Sequence, residues 1–233
     1  QDSVLVHKET GRKVKAVVVV HVFGNMADME RIMDIAENYH LRVIEDATEA
    51  LGTKYTAGKY KDQYAGTIGD FGAFSYNGNK IITTGGGGMV VARNNDELQH
   101  IRYISTQSKD DPLFYVHNEI GYNYRMTNVQ AALGVAQMEL LDEFVDRKNK
   151  NYVIYQELLD GDERFELLPF RDDTRSNKWF YALKIKKNVD IKELVKSLME
   201  KQVQTRTIWG LISEQKPYAD SIAYRIEKAK AYS

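Results

Sequence analysis

Five apolar residues run without a break from Ala16 to Val20. Four valines in a row suit a strand buried on both faces. The next stretch, HVFGNMADMERIMDIAENYH, changes period. Its apolar residues Met29, Ile32, Met33, Ile35 and Ala36 follow helical spacing, with Asn25 or Asp28 placed to cap the first turn. LRVIED then returns as a second short strand that ends in two acids, Glu45 and Asp46. Strand, helix, strand over about thirty residues is a βαβ unit, and it predicts a parallel sheet. Ligands of such sheets gather beyond the carboxyl ends of the strands, where His21 and Asp46 fall.

The pattern continues past these elements. Residues 52–66 are polar, contain glycine and read as a loop or small hairpin. Alternation in GDFGAFSYNGNK predicts a strand around Phe71 to Ser75, and Met89 to Ala92 predicts another after four glycines. NDELQHIRYIS reads as a helix from Asn95 to Ser105, capped by Asn94 or Asn95. A long polar stretch follows, broken by Asp111-Pro112, and loops of that size often carry function. One long helix is expected from Thr127 or Asn128 through QELL, with small residues Ala131, Ala132, Gly134 and Ala136 for close packing. Beyond it FELLPF, KWFYALKIK and VQTRTIWG read as strands, with a helix capped by Asp190 between the last two. The expected organisation is a large α/β domain over 1–150 and a smaller α/β domain over 151–233, joined near 146–160.

Composition narrows the class. With 43% apolar and 28% charged residues the chain can build an ordinary core. A formal net charge of −1 gives no electrostatic case for nucleic acid or an anionic membrane. The absence of cysteine excludes disulfides and thiolate metal sites, and the five histidines lack ligand spacing, so no metal is expected. No apolar run reaches membrane-spanning length and no signal segment opens the sequence, which fits a cytoplasmic protein.

The chemistry concentrates between Val43 and Val91. Asp46 ends a strand. Lys80 follows a polar turn, and Gly85 to Gly88 follow Lys80. A lysine amine condenses with aldehydes, and a carboxylate holds a pyridinium nitrogen protonated. Each residue has a plainer reading beside that one. Asp46 can be a helix cap for ATEALG, His21 a satisfied strand-end histidine, and Lys80 a surface turn lysine. The glycines can form a turn or cradle a phosphate with their amides. They are not a P-loop, because no GK[ST] follows at the right spacing.

VIEDATEALG, FSYNGNKIITTGGGGMVV and GYNYR together resemble the DegT/DnrJ/EryC1/StrS family of pyridoxal-phosphate-dependent sugar aminotransferases. The likeness runs from about Ala16 to Tyr218, and the four-glycine wording is most similar to the legionaminic acid and bacillosamine branch. It implies the aspartate aminotransferase-like type I fold: a mainly parallel sheet domain plus a small C-terminal α/β domain. By the same resemblance Lys80 carries the cofactor, Asp46 holds its ring nitrogen, and Ser75 binds its phosphate. Asn123 reaches the phosphate of a neighbouring subunit, so a homodimer with shared sites is implied. Glu49, where the family often has Gln or His, lies near the ring. Tyr124 and Arg206 are expected at the substrate, a UDP-linked 4-keto-6-deoxy-N-acetylhexosamine, with an amino acid such as glutamate as donor. A rim salt bridge remains the plain alternative for Arg206, and a turn asparagine for Asn123. The family's first part of the large domain, with a phosphate-binding helix and a ring-stacking aromatic residue, is expected ahead of Gln1. A non-catalytic sensor or partner subunit, an inactive fragment, and an unrelated glycine-rich nucleotide binder are the competing readings, and without that first part this chain alone is expected to bind the cofactor weakly or not at all. A family dehydratase would carry histidine in place of Lys80.

Overall fold

The computed structural model describes residues 4–186 and 189–232. The chain divides into two compact units. One runs to Leu158 and takes in Pro169–Tyr181. The other comprises Leu159–Leu168 and the chain from Ala182 onward.

In the larger unit, β1 (Ala16–Val20), α1 (Met29–Asn38) and β2 (Arg42–Asp46) form the expected βαβ unit. β1 and β2 are parallel, with Val19 opposite Glu45 and Val20 opposite Asp46. Asp28 caps α1 by accepting the Arg31 N–H at 3.3 Å. The Tyr55 hydroxyl accepts the Met29 N–H at 3.0 Å and donates to the Ala27 carbonyl at 2.7 Å, satisfying further orphan groups at that helix start. Met29 and Ala36 on α1 pack with Val19, Val43 and Ile68 in one core. β1 departs from the sequence reading. Only Val19 is fully buried, while Val18 and Val20 are 60% and 47% exposed. β1 is the last strand at its side of the sheet, and only one of its faces is covered.

β3 (Lys54–Tyr55) pairs antiparallel with β7 (Thr174–Arg175). β4 (Phe71–Ser75) runs parallel to β2, and β5 (Gly88–Ala92) turns back antiparallel to β4. The sheet order is β1-β2-β4-β5. Thus the carboxyl ends of β1, β2 and β4 lie side by side, bringing His21, Asp46 and Ser75 to one edge. This is the mixed α/β architecture expected from the sequence.

α2 (Asn95–Ser105) is capped by Asn94, which accepts the Asp96 and Glu97 amides. The expected long helix is two: α3 (Asn128–Met138) and α4 (Leu141–Leu159). The break falls where the Leu140 N–H bonds the Gln137 carbonyl, three residues back, tightening the turn out of α-helical register. Thr127 caps α3 in a full capping box with Gln130. No residue of α3 is buried, so its small residues do not pack as a face within the chain, apart from Gly134 against Thr84.

In the smaller unit, β6 (Phe165–Leu167) pairs antiparallel with β8 (Leu183–Ile185), and Asp190 caps α5 (Ile191–Glu200). The strand expected over KWFYALKIK shrinks to its last third, because Asn177 and Trp179 are tied into the larger unit by the hydrogen bonds described below. For the same reason residues 169–181 fold with the first unit and not with the rest of 151–233. VQTRTIWG forms no strand. A ladder needs a neighbour, and among the described residues none pairs with it. α6 (Glu227–Tyr232) ends the described chain.

Candidate active site

Adjacent residues of a strand face opposite sides, so Glu45 and Asp46 cannot serve one site. The structure separates them accordingly. Glu45 is fully buried and accepts four hydrogen bonds. The donors are His21 Nε2 at 2.9 Å and the amides of Gly66, Ile68 and Gly69 at 2.9, 2.6 and 2.5 Å. Burial alone would raise its pKa. The bonds from His21 and the Gly69 and Gly66 amides outweigh that and hold it below the usual carboxylate value. His21 Nδ1 accepts the Ala27 N–H at 3.1 Å, so Nε2 carries the proton given to Glu45. His21 is thus the satisfied strand-end histidine, and Glu45 is its partner and the clasp of the 66–69 loop.

Asp46 closes β2 and begins a pair of tight turns rather than a helix. Its carboxylate accepts the Thr48 N–H at 3.1 Å, a local turn bond in place of the helix cap. The turns carry Glu49 back towards the sheet edge. Glu49 accepts the Phe23 N–H at 2.7 Å and lies 4.0 Å from Lys80 Nζ. Phe23 presents that N–H from left-handed backbone, φ +58°, in the turn that follows β1. Burial, more than any other influence, raises the Glu49 pKa; the Phe23 amide and Lys80 pull against it, and the nearby Asp46 adds to it.

Lys80 is not a surface lysine: its side chain is 13% exposed. Besides Glu49, its ammonium meets the face of Trp179, 4.1 Å from the ring centroid. Trp179 is buried, stacks on Phe180 at 3.8 Å, and donates its indole N–H to the Asn79 carbonyl at 2.7 Å. It therefore grips the turn that carries Lys80. Asn177 places Trp179. It is fully buried, donates to the carbonyls of Glu49 and Leu51 at 2.9 Å each, and accepts the Trp179 N–H at 3.0 Å. Gly24, at φ +82°, makes room for it; a Cβ there would overlap Asn177 Oδ1.

Ser75 ends β4 opposite Gly88, and its Oγ accepts the Asn77 N–H at 3.3 Å. Asn123 and Tyr124 are exposed, on a segment bridged to Thr106, and Tyr124 stacks on Tyr122 at 4.9 Å. Arg206 belongs to the smaller unit, where it lines a hollow of about 490 Å³ with Trp209 and Ile191. The structure thus brings together Lys80, Glu49 and Asp46, sets Ser75 on the next strand, and leaves Asn123 and Tyr124 on the surface. Trp179 and Asn177 escaped the sequence reading, since no spacing rule ties position 179 to position 80. No cluster of metal ligands occurs among the described residues, and no described helix is long and apolar enough to cross a membrane.

Comparison with known proteins bears on the family and the fold. The model of the DegT/DnrJ/EryC1/StrS aminotransferase family matches residues 2–233. EpsN of Bacillus subtilis (strain 168) is 35% identical over 94% of this chain and 55% of its own length. A GDP-perosamine synthase of Escherichia coli O157:H7 is 34% identical over 92% of this chain and 57% of its own. The chain therefore spans a little over half the length of these curated relatives. Among solved structures, the aminotransferase TlmJ from Streptoalloteichus hindustanus superposes with a TM-score of 0.84 at 22% identity, covering 97% of this chain and 60% of that one. At that identity the likeness speaks for the fold.

Proposed function

The chain belongs to the DegT/DnrJ/EryC1/StrS aminotransferase family, and on that premise we propose that the protein moves an amino group from an amino acid to the keto carbon of a nucleotide-linked 4-keto-6-deoxy sugar, with pyridoxal phosphate as cofactor. One observation carries the reading. A nearly buried primary amine, Lys80, stands 4.0 Å from the Glu49 carboxylate at the carboxyl edge of a largely parallel sheet.

The donor set fits the cofactor. Its aldehyde needs an amine, which Lys80 supplies; its pyridine nitrogen needs an acid, and Asp46 ends the neighbouring strand. Its phosphate needs donors. Ser75 accepts from Asn77 and, among the described residues, keeps its own hydroxyl proton free to give. When bound, the cofactor supplies an aldehyde and a ring that takes up electron density.

The chain's own residues supply the rest. Lys80 Nζ is the general base that takes a proton from the substrate carbon bearing nitrogen and returns one. Glu49, 4.0 Å from Lys80 Nζ, balances the ammonium form of Lys80. Trp179 keeps water from one side of Nζ. Exposed Asn123 and the exposed apolar residues Val129, Leu133 and Val135 of α3 support a homodimer in which Asn123 completes the partner's site. Tyr124 and Arg206 are assigned to the substrate, and the setting is cytoplasmic.

For the nucleotide, NGNKIITTGGGG favours a UDP-linked N-acetylated sugar of the legionaminic acid and bacillosamine type. The GDP-perosamine synthase relative favours a GDP-linked sugar as the second reading. The test offers UDP- and GDP-linked 4-keto-6-deoxy sugars with ¹⁵N-glutamate and pyridoxal phosphate, and reads the products by mass. Label entering one sugar series, and lost in Lys80→Ala, is expected. No label in either series refutes the reading.

A further inference from the structure

Beside Lys80, within the larger unit, lies a cavity of about 310 Å³ whose wall is cationic. That volume falls at the small end of ligand-sized pockets. Phe144, Arg147, Lys148 and Asn151 of α4 stand at i, i+3, i+4 and i+7, so one stripe of the helix faces it. Asn79, Lys80 and Ile81 face it from the turn, and the stacked rings of Trp179 and Phe180 line the remainder. No lining residue carries a carboxylate. Two acids of α4 are engaged elsewhere: Asp142 and Asp146 bind Arg175 at 3.0 and 2.9 Å, while Glu143, exposed and one turn before Arg147, does not line the cavity.

We propose that this cavity is an oxyanion subsite of the active site, in which Arg147 and Lys148 receive a phosphate or carboxylate group of the substrate. The inference rests on the aminotransferase reading and adds to it where the substrate's charge is held. The physical case is one of unbalanced charge. Lys148 is half-buried, its ammonium 4.3 Å from the Tyr181 ring, and burial without a facing acid pushes its pKa below the usual lysine value. An anion brought between Lys148 and Arg147 restores that loss, and the guanidinium offers a planar fork suited to two oxygens. The aromatic wall thins the water around half-buried Lys148, so its charge acts more strongly than on an open surface, while exposed Arg147 meets an anion from the rim. Position adds direction. An anion held here tethers the substrate next to Lys80 Nζ without occupying the side that Glu49 approaches.

Two substrate groups share this chemistry: the diphosphate of a nucleotide sugar and the carboxylate of the amino donor. Calorimetric titration of the 233-residue chain with inorganic pyrophosphate and with glutarate, at low ionic strength, separates them. The variants are Arg147→Gln, the double change Arg147→Gln/Lys148→Gln, and Lys150→Gln, a lysine of α4 outside the cavity. Circular dichroism melts check that all are folded. The double variant is expected to bind at least one anion about ten-fold more weakly or worse, as the loss of charge-assisted bonds implies. The single variant should fall between, and Lys150→Gln should match the unchanged chain. Loss confined to pyrophosphate assigns the cavity to the nucleotide diphosphate; loss confined to glutarate assigns it to the amino donor; loss of both assigns it to each in turn. Equal affinities in the double variant and Lys150→Gln, or no binding of either anion to the unchanged chain, overturn the proposal. Labelling of Lys80 by pyridoxal phosphate on the same samples keeps the two readings apart. Labelled Lys80 with indifferent anion binding sinks the subsite alone, while Lys80 left unlabelled both in these samples and in a chain extended at its N-terminus sinks the aminotransferase reading.

Discussion

Asn177→Ala should destabilise the larger unit by about 3 kcal/mol and free Lys80 at the same time. The magnitude follows from what the side chain holds. It donates to the Glu49 and Leu51 carbonyls and accepts the Trp179 N–H, all within 3.0 Å, with none of its surface exposed. Truncation strands three backbone groups, and each buried group left unpaired costs about 1 kcal/mol or more. The small void adjoining Gly24 adds to that. The Trp179 backbone loses an anchor on one side, while its indole still holds the Asn79 carbonyl on the other. Urea unfolding followed by circular dichroism gives the stability. The rate at which an amine reagent modifies Lys80, read by peptide mass, gives the local effect. Asn177→Asp is the sharper companion: it keeps the shape but turns an oxygen towards two carbonyls, and should cost at least as much. A loss under about 1 kcal/mol for Asn177→Ala with unchanged Lys80 modification would refute the view that Asn177 ties the acid-bearing turn to Trp179.

Other outcomes follow from the same geometry. Gly24→Ala should lose about 2 kcal/mol or more in urea unfolding, because its backbone is left-handed and its Cβ would displace Asn177 Oδ1. Glu45 has a folded pKa below its unfolded one, so the stability it contributes is full above the unfolded value near 4.5 and is lost as pH falls through the folded value. Glu45→Gln should therefore be less stable near neutral pH by about 1–3 kcal/mol and show a shallower decline in acid, as measured by unfolding at a series of pH values. Trp179→Phe keeps a ring over Lys80 but removes the indole bond to Asn79; Lys80 modification should quicken while stability falls by about 1 kcal/mol.

Much of the sheet was legible because local pattern and global fold agree there. Ala16–Val20, Arg42–Asp46 and Phe71–Ser75 are strands over the residues their patterns mark. Sequence also showed an acid at the end of β2 and a lysine beyond β4, since strand ends and turns announce themselves. Where the reading failed, the deciding contact was distant in the chain. Val18 and Val20 are apolar yet exposed, because a run of valines does not say whether a strand lies inside a sheet or at its side. α3 and α4 share an unbroken helical period, yet they part at the turn where the Leu140 N–H bonds the Gln137 carbonyl. Alternation in KWFYALKIK promised a strand, but Asn177 bonds to residues more than 120 positions earlier overrode it. Glu45 and Asp46 are neighbours in sequence, and the two-residue period of a strand is what sends one to the core and the other to the site edge.

Lys80 is proposed to hold pyridoxal phosphate. The most direct test is to incubate the chain with the cofactor, reduce with borohydride, digest, and locate the added mass. The account predicts label on the peptide containing Lys80, and its disappearance in Lys80→Ala while that variant stays folded. Label absent from Lys80, or no greater there than at exposed Lys59 and Lys150, in this chain and again in one extended at its N-terminus, would contradict it.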